Sequence, residues 1–362
     1  MVHLTTRASG RRECGNSLTI SEDLVMQRIL YRPYLTFGML CVCLTTGWAS
    51  SRADDALPTP PEDPGSSIQD EIWLLNTRHL GCPEQTTEPI DFRVSRVSES
   101  GQTEPADYAD FIESQSAARR TVVYVHGNRN TYSQSLTYGL QVYRKLVASE
   151  AGARQPVCFL IWSWPSSQIK GPLRDVRVKA SRADKQAYYF ANFLAQLSPD
   201  KPVSLLGFSY GARILTGAVH RFSGESLAER TIEATQNDGP ALSMVLVAAA
   251  VQNDWLCPGK CHGNALAALD QLLNVYNDRD PALKRYRVVS ATSNPEALGY
   301  TGLPSACRHA PYRQINARCQ VGRTHDIRDY IRSWSLRQRI RSVLLAPPQP
   351  DSPLAYSSVE NN

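Results

Sequence analysis

Residues 203–215, Val-Ser-Leu-Leu-Gly-Phe-Ser-Tyr-Gly-Ala-Arg-Ile-Leu, pass from a short apolar run, through Ser209 between Gly207 and Gly211, into a stretch of helical period. The run VSLL reads as a buried strand, and ARILTGAVHRF reads as a helix that begins at once. A serine at the end of a strand must turn sharply to project its Oγ above the sheet. Gly207 and Gly211 leave room for that strained turn and for a helix packed close behind it. A G-x-S-x-G match alone arises by chance. Between a strand and a helix it points to a serine nucleophile, against the alternative of a tight turn with an ordinary serine. The helix start behind Ser209 also offers backbone N–H groups to a negative oxygen.

Outward from this stretch, short β-type runs alternate with helical ones. The strand candidates are EIWLLNTR from Glu71, DFRVSRV from Asp91, TVVYVHG from Thr121, VCFLIWSW from Val157, VSLLGFS, SMVLVAAAV from Ser243, LDQLLNVYN from Leu269 and RQINARC from Arg313. Helical patterns cover about 132–149, 181–197, 210–222 and 326–344. The middle runs are apolar on both faces, as parallel strands covered by helices on either side must be, so the class is a doubly wound, mostly parallel α/β sheet. One folded domain spans 71–346. A leader (1–53) and a Pro/Asp/Ser-rich linker (54–70) precede it, and a tail (347–362) with the composition of a disordered segment follows.

With 362 residues, 42% hydrophobic and 20% charged, the chain can bury a large core. Its formal charge of +5 shrinks once the leader, with six arginines and three acids, is set aside, leaving 33 basic against 31 acidic residues. That balance argues against nucleic acid as a partner, and strongly anionic partners are not implied. Within the leader, Met26 opens a segment with Arg28 and Arg32, an apolar run from Leu35 to Trp48, and Ser51-Arg52-Ala53. These are the three parts of a secretory signal peptide cut after Ala53, with translation starting at Met26. The alternative, a membrane anchor, needs roughly 20 apolar residues, and this run has 14. The expectation is an exported protein of the periplasm, cell envelope or exterior, with no stable membrane span after cleavage.

Six of the nine cysteines remain after Ala53, an even number for an oxidising compartment. Cys257 and Cys261 in CPGKC are near enough for a tight local disulfide, and Cys307 and Cys319 bracket another short segment. Cys158, inside an apolar strand, is expected free and buried. A zinc site at Cys257, Cys261 and His262 is the weaker reading, because adjacent Cys261 and His262 point in different directions and no second ligand pair follows.

A second signal is Tyr124-Val125-His126-Gly127-Asn128, at the end of the strand TVVYV. His126, in an HG turn upstream of the serine, suits a structural place rather than that of a base. Taken together, VVYVHGNRNTY, IWSWPSS and LLGFSYGARIL resemble, over roughly residues 70–335, a bacterial family of α/β-hydrolases of uncharacterised function whose members carry VHGYN, SWPS and a serine elbow in that order. Where that family usually has a small residue before the serine and SMG after it, this chain has Phe208 and Tyr210, which makes for a bulkier pocket.

The resemblance implies a Ser, acid, His triad in that chain order and no particular substrate. Backbone N–H groups of Asn128 and Tyr210 would form the oxyanion hole, each worth about 3 kcal/mol. For the acid, LDQLLNVYNDRDPALKRY offers Asp278 and Asp280; an aspartate two residues before Ala-Leu, as in family members, selects Asp280, although either could reach an imidazole and the other could cap the helix near Pro281. For the base, His325 in GRTHDIRDYIRSW lies in a loop opening into the last helix and is preferred over His309. Trp162 and Trp164 read as core and pocket wall. Arg213 could meet a substrate carboxylate, with a surface salt bridge as the favoured use. The stretches 223–240 and 295–315 are long enough to form a lid. The expectation is an exported serine hydrolase acting on a small-molecule or lipid-like acyl substrate, ester or amide, without metal or organic cofactor. A non-catalytic binding module on the same fold and a disulfide-rigidified envelope protein are the alternatives.

Overall fold

A computed structural model describes residues 69–81, 89–148, 156–224, 239–290, 294–308 and 311–347. The leader, the linker up to residue 68, Cys82, His309, residues 225–238 of the first lid candidate and the tail from 348 lie outside the described residues. The strands are β1 (Glu71–Asn76), β2 (Arg93–Val97), β3 (Thr103–Ala106), β4 (Arg120–Val125), β5 (Val157–Ser163), β6 (Val203–Phe208), β7 (Leu242–Val247), β8 (Gln271–Tyr276) and β9 (Tyr312–Asn316). The helices are α1 (Tyr108–Ala117), α2 (Tyr132–Val142), α3 (Pro172–Leu194), α4 (Tyr210–Phe222), the one-turn α5 (Leu298–Thr301) and α6 (Arg318–Val321), α7 (Ile327–Arg332) and α8 (Trp334–Leu344).

The strands form one sheet in the order β3-β2-β1-β5-β4-β6-β7-β8-β9. The pairs β1/β2 and β2/β3 are antiparallel, and every other pair is parallel. Each of β4, β5, β6 and β7 is buried along its whole length, which is why those segments read as unbroken apolar runs. The crossover through α2 runs from β4 outward to β5, whereas α3 and α4 lead the other way, to β6 and β7. Right-handed crossovers therefore put α2 on one face and α3 with α4 on the other. In keeping with this, α3 packs on α4, while α2 packs on α7 and α8 lies on β6, β7 and β8. The helices following β4 and β6 leave toward opposite faces, so the crevice at the carboxyl ends of these two neighbours is a topological switch point, the place where such sheets bind ligands.

All eight expected strands are present, in the doubly wound, mostly parallel α/β sheet that the sequence predicts. Two elements ahead of β4 carry no apolar period and were not foreseen. One is β3, an exposed edge strand of sequence TEPA that contains proline. The other is α1, which enters the core through few side chains, with Phe111 set edge-on to Trp73 at 5.7 Å. Helix α3 starts at Pro172 rather than near 181, because two positions its first turns bury are Asp175 and Lys179. The pattern expected over 326–344 is broken at Ser333, whose extended backbone separates α7 from α8. No helix among the described residues is long and apolar enough to cross a membrane.

The cysteine pairing corrects the sequence expectation. Cys257 is bonded to Cys307, with Cα atoms 5.2 Å apart, and not to Cys261. Cys257 is buried in the loop after β7, and the turn at 305–307 packs where its sulfur points. Cys261 is also disulfide-bonded, which together with the first bridge removes both thiolates from any zinc site. Cys158 is free and buried as expected, and Cys319 is free and exposed.

Gly211 governs how closely α4 approaches the sheet: a Cβ there would lie 2.0 Å from the carbonyl oxygen of Val125 in β4. Gly211→Ala is expected to lower the unfolding free energy in urea by about 3 kcal/mol, because backbone and not a yielding side chain blocks the methyl group. Gly81→Ala, with nothing within 4 Å of its added carbon, should stay within about 0.5 kcal/mol of the parent.

Candidate active site

Ser209 closes β6 with φ 54° and ψ −117°, outside the basins that L residues prefer. Its N–H donates to Val247 O (3.1 Å), and its carbonyl accepts from Ala212 N (3.1 Å) and Ala250 N (3.0 Å). The turn is thus anchored to β7 and to the loop that follows it, where Ala248 also has a positive φ of 46°. Gly207 and Gly211 are both required: a Cβ on Gly207 would come within 2.7 Å of Ala212 Cα. The Oγ of Ser209 lies 3.0 Å from His325 Nε2, and His325 Nδ1 lies 2.6 Å from Asp280 Oδ2. A carboxylate can only accept, so Nδ1 carries the proton and Nε2 is free to accept from the serine hydroxyl.

Asp280 is fully buried, and its second oxygen is fixed by the N–H groups of Ala282 (2.8 Å) and Leu283 (2.9 Å). One carboxylate therefore both faces the imidazole and holds its own loop. Asp278 is turned the other way, to Asn316 Nδ2 (2.8 Å) and Arg318 Nη1 (3.3 Å). Sequence reasoning passed over Asn277, whose buried side chain shapes this loop. Its Oδ1 accepts from Arg279 N (3.0 Å) and its Nδ2 donates to Gly322 O (2.9 Å), tying the Asp280 loop to the His325 loop. The legible signal was an asparagine two residues before Arg279 at a strand end, the pattern of an Asx-turn. Asp326 caps α7 through Arg328 N (2.9 Å), so His325 stands directly ahead of a capped helix.

The loop after β4 reaches the serine through Gly127: a Cβ there would lie 3.0 Å from Ser209 Cβ. His126 is buried, donates from Nδ1 to Gly127 O (2.9 Å) and accepts at Nε2 from Trp164 N (3.3 Å). Burial pulls its pKa down to about 3, so it is a neutral strut, stacked on Trp164. Asn128 is held by its side chain, whose Nδ2 donates to Asp175 Oδ2 (3.1 Å) and whose Oδ1 accepts from Arg129 N (2.8 Å). Asp175 also accepts from Arg129 Nε (2.9 Å), Ile169 N (3.1 Å) and Lys179 Nζ (3.3 Å). The buried Asp175–Lys179 pair thereby joins the loops after β4 and β5, a role that its place in an apparently polar stretch concealed.

Tyr210 opens α4, and as the first helical residue its N–H has no intrahelical acceptor. Its ring does not narrow the pocket, since the hydroxyl ends on Val176 O of α3 (3.0 Å). Phe208 instead lies against the His325 ring, with centroids 5.1 Å apart. Arg213 makes a salt bridge, but a buried one: it pairs with Asp184 at 2.7 and 2.8 Å and lies over Trp255, locking α4 to α3. Trp162 and Trp164 are buried in the core. A cleft of about 400 Å³ is lined by Arg323, Thr324, Asp329 and Arg332 among others and includes none of Ser209, Asp280 and His325. No cluster of three or more His, Cys, Asp or Glu side chains suited to a metal ion occurs among the described residues.

Residues 103–292 match a family described as "Alpha/beta hydrolase of unknown function (DUF900)". No curated protein matches the chain. Among solved structures it is similar to the product of gene lin2722 from Listeria innocua, at 10% identity over 64% of this chain and 96% of that one, with a TM-score of 0.35. It is also similar to an inhibited esterase B from Lactobacillus rhamnosis, at 13% identity over 76% of this chain and 85% of that one, with a TM-score of 0.37.

Asp175→Ala would leave the Lys179 ammonium buried without its counter-ion and release the Asn128 side chain. Chemical denaturation is expected to report a loss of about 3–5 kcal/mol. Adding Lys179→Met should recover part of that loss, because the unpaired charge goes with it.

Proposed function

The chain belongs to this family of α/β-hydrolases of unknown function, and on that premise we propose that it is a serine hydrolase that cleaves an ester-type or amide bond through an acyl-enzyme. The observation that carries the reading is the unbroken relay from Ser209 Oγ to His325 Nε2 (3.0 Å) and from His325 Nδ1 to Asp280 Oδ2 (2.6 Å). A serine hydroxyl alone is a poor nucleophile, and an imidazole in hydrogen-bond reach takes its proton as the C–O bond forms. Ser209 attacks the acyl carbonyl while His325 accepts the proton, and the Asp280 carboxylate stabilises the resulting imidazolium and holds its tautomer. Negative charge moves to the former carbonyl oxygen, where the Tyr210 and Asn128 N–H groups and the start of α4 stabilise it. His325 then protonates the leaving alcohol or amine. Water, deprotonated by the same imidazole, attacks the acyl-serine, and His325 returns the proton to Ser209 Oγ.

The reading includes export after cleavage of the leader, and the Cys257–Cys307 bridge supports it, since disulfides persist in oxidising compartments. The acyl substrate is small or lipid-like, and none of these steps requires a metal or organic cofactor.

Labelling with a fluorophosphonate, together with hydrolysis of a short activated ester, tests the scheme. Ser209→Ala and His325→Ala are expected to lower kcat by about 10⁴-fold or more, with labelling abolished in the serine variant. Asp280→Asn should cost about 10⁴-fold by reversing the imidazole tautomer. Asp278→Asn should leave kcat near the parent value, because that carboxylate faces Asn316 and Arg318. An unlabelled parent, or undiminished hydrolysis by Ser209→Ala, would overturn the assignment.

A further inference from the structure

The near-neutral charge of the folded region conceals a separation by position. Along residues 126–148, 156–183 and 279–290, which include the loops leaving the carboxyl ends of β4, β5 and β8, the only carboxylates are Asp175 and Asp280. Both are fully buried and engaged. The same stretches expose Lys170, Arg174 and Arg177 at the start of α3 and Lys284, Arg285 and Arg287 after β8. Arg177 Nε donates to Val288 O (3.1 Å), so the two groups adjoin and make one surface. That surface flanks the serine: Val176 accepts from the hydroxyl of Tyr210, and Leu283 N donates to Asp280. Of the carboxylates nearby, Asp278, Asp326 and Asp329 each hold an arginine of their own, and one exposed Glu296 leaves the six cations in excess. The compensating acids lie toward the antiparallel end of the sheet, where residues 89–118 hold Asp91, Glu99, Glu104, Asp107, Asp110 and Glu113 against two cations, Arg93 and Arg96.

The described residues include three large hydrophobic side chains that are exposed, and two belong to helices that start at this edge. Leu173, 53% exposed, opens α3 between Lys170 and Arg174, and Tyr132, 36% exposed, opens α2 after the β4 loop. The cations are shared between two segments, 170–177 and 284–287, and not gathered in one loop as a site for a small soluble anion would have them. They form a spread field with an apolar side chain standing among them. Such a surface matches a layer of anionic headgroups over acyl chains, in which basic residues meet phosphate and a leucine enters the hydrocarbon boundary.

From this we infer that the edge of the sheet carrying Ser209 docks on an anionic lipid surface, with Lys170, Arg174, Arg177, Lys284, Arg285 and Arg287 over the headgroups and Leu173 inserted between them. The docking is independent of the chemistry. Only its corollary, that the acyl substrate is a lipid of that surface, rests on the serine-hydrolase reading.

The test uses the Ser209→Ala chain, which cannot consume the lipid, in sedimentation with vesicles of phosphatidylglycerol or of phosphatidylcholine. Binding is expected to phosphatidylglycerol alone and to weaken steeply between about 50 and 500 mM salt. Lys170→Gln combined with Arg174→Gln should weaken it by about tenfold or more, and Leu173→Ser by about fivefold. In the chain with Ser209 intact, the same substitutions should leave the melting temperature and the rate of labelling by a small neutral phosphonate unchanged. Equal binding to both vesicle types, no binding to phosphatidylglycerol, indifference to these substitutions, or binding of duplex DNA in place of vesicles would overturn the inference. Failure of phosphonate labelling alongside selective vesicle binding would overturn the hydrolase reading and leave the docking surface standing.

Discussion

The backbone at Ser209 sits where an L residue gains nothing locally, and its neighbours must hold it there. Its N–H is held by Val247 and its carbonyl by Ala212 and Ala250, so the turn depends on β7 beside β6 and on α4 laid across the carboxyl end of β4. The last condition is the most exacting, since only the missing side chain of Gly211 lets the helix backbone meet the Val125 carbonyl. Parallel order, the glycine pair and the burial of β4, β6 and β7 thus answer one requirement. A serine hydroxyl has to stand above a sheet edge on a turn too strained to exist without that sheet.

This is why the centre of the protein was readable from its sequence. A strand buried on both faces writes an uninterrupted apolar run, and a helix that follows without a linker writes its period immediately afterwards. The doubly wound, mostly parallel class followed from the chain's alternation, whereas the strand order came only with the structure; Ser209, Asp280 and His325 were picked out by resemblance and chain order. Legibility failed wherever polar groups do the structural work. Asp175 and Lys179 lie inside the first turns of α3 but look like a solvated stretch, so that helix appeared to begin later. Asn277 ties two loops together through side-chain hydrogen bonds that no periodicity records. The Cys257–Cys307 bridge spans two loops that are distant in sequence, and spacing favours the nearer cysteine when only the chain is in view. Between Asp278 and Asp280 the residues left the choice open. What separates their surroundings is loop conformation: two amides and an imidazole face one, an asparagine and an arginine the other.

Composition misled in a different way. Summed over the folded region, acids and bases nearly cancel, and a sum cannot distinguish interspersed charge from charge sorted to opposite ends of a sheet. Topology makes the difference, because parallel strands deliver all their carboxyl-end loops to one edge, and in this chain the exposed charged positions after β5 and β8 are basic.

His126 supplies a last consequence. Its ring takes one hydrogen bond from the Trp164 amide, has the Arg78 guanidinium 3.5 Å away, and titrates only near pH 3 because it is buried. An unfolded chain would accept that proton near the ordinary histidine value, about 6.5. Stability from this group is therefore complete above that value and declines as the pH falls toward 3, where the folded protein would at last protonate and set N–H against N–H at Trp164. The ring that braces the loop beside the serine is thus also an acid fuse: it lies dormant in neutral surroundings, and acidification would loosen the fold from within, at the foot of the loop that follows β4.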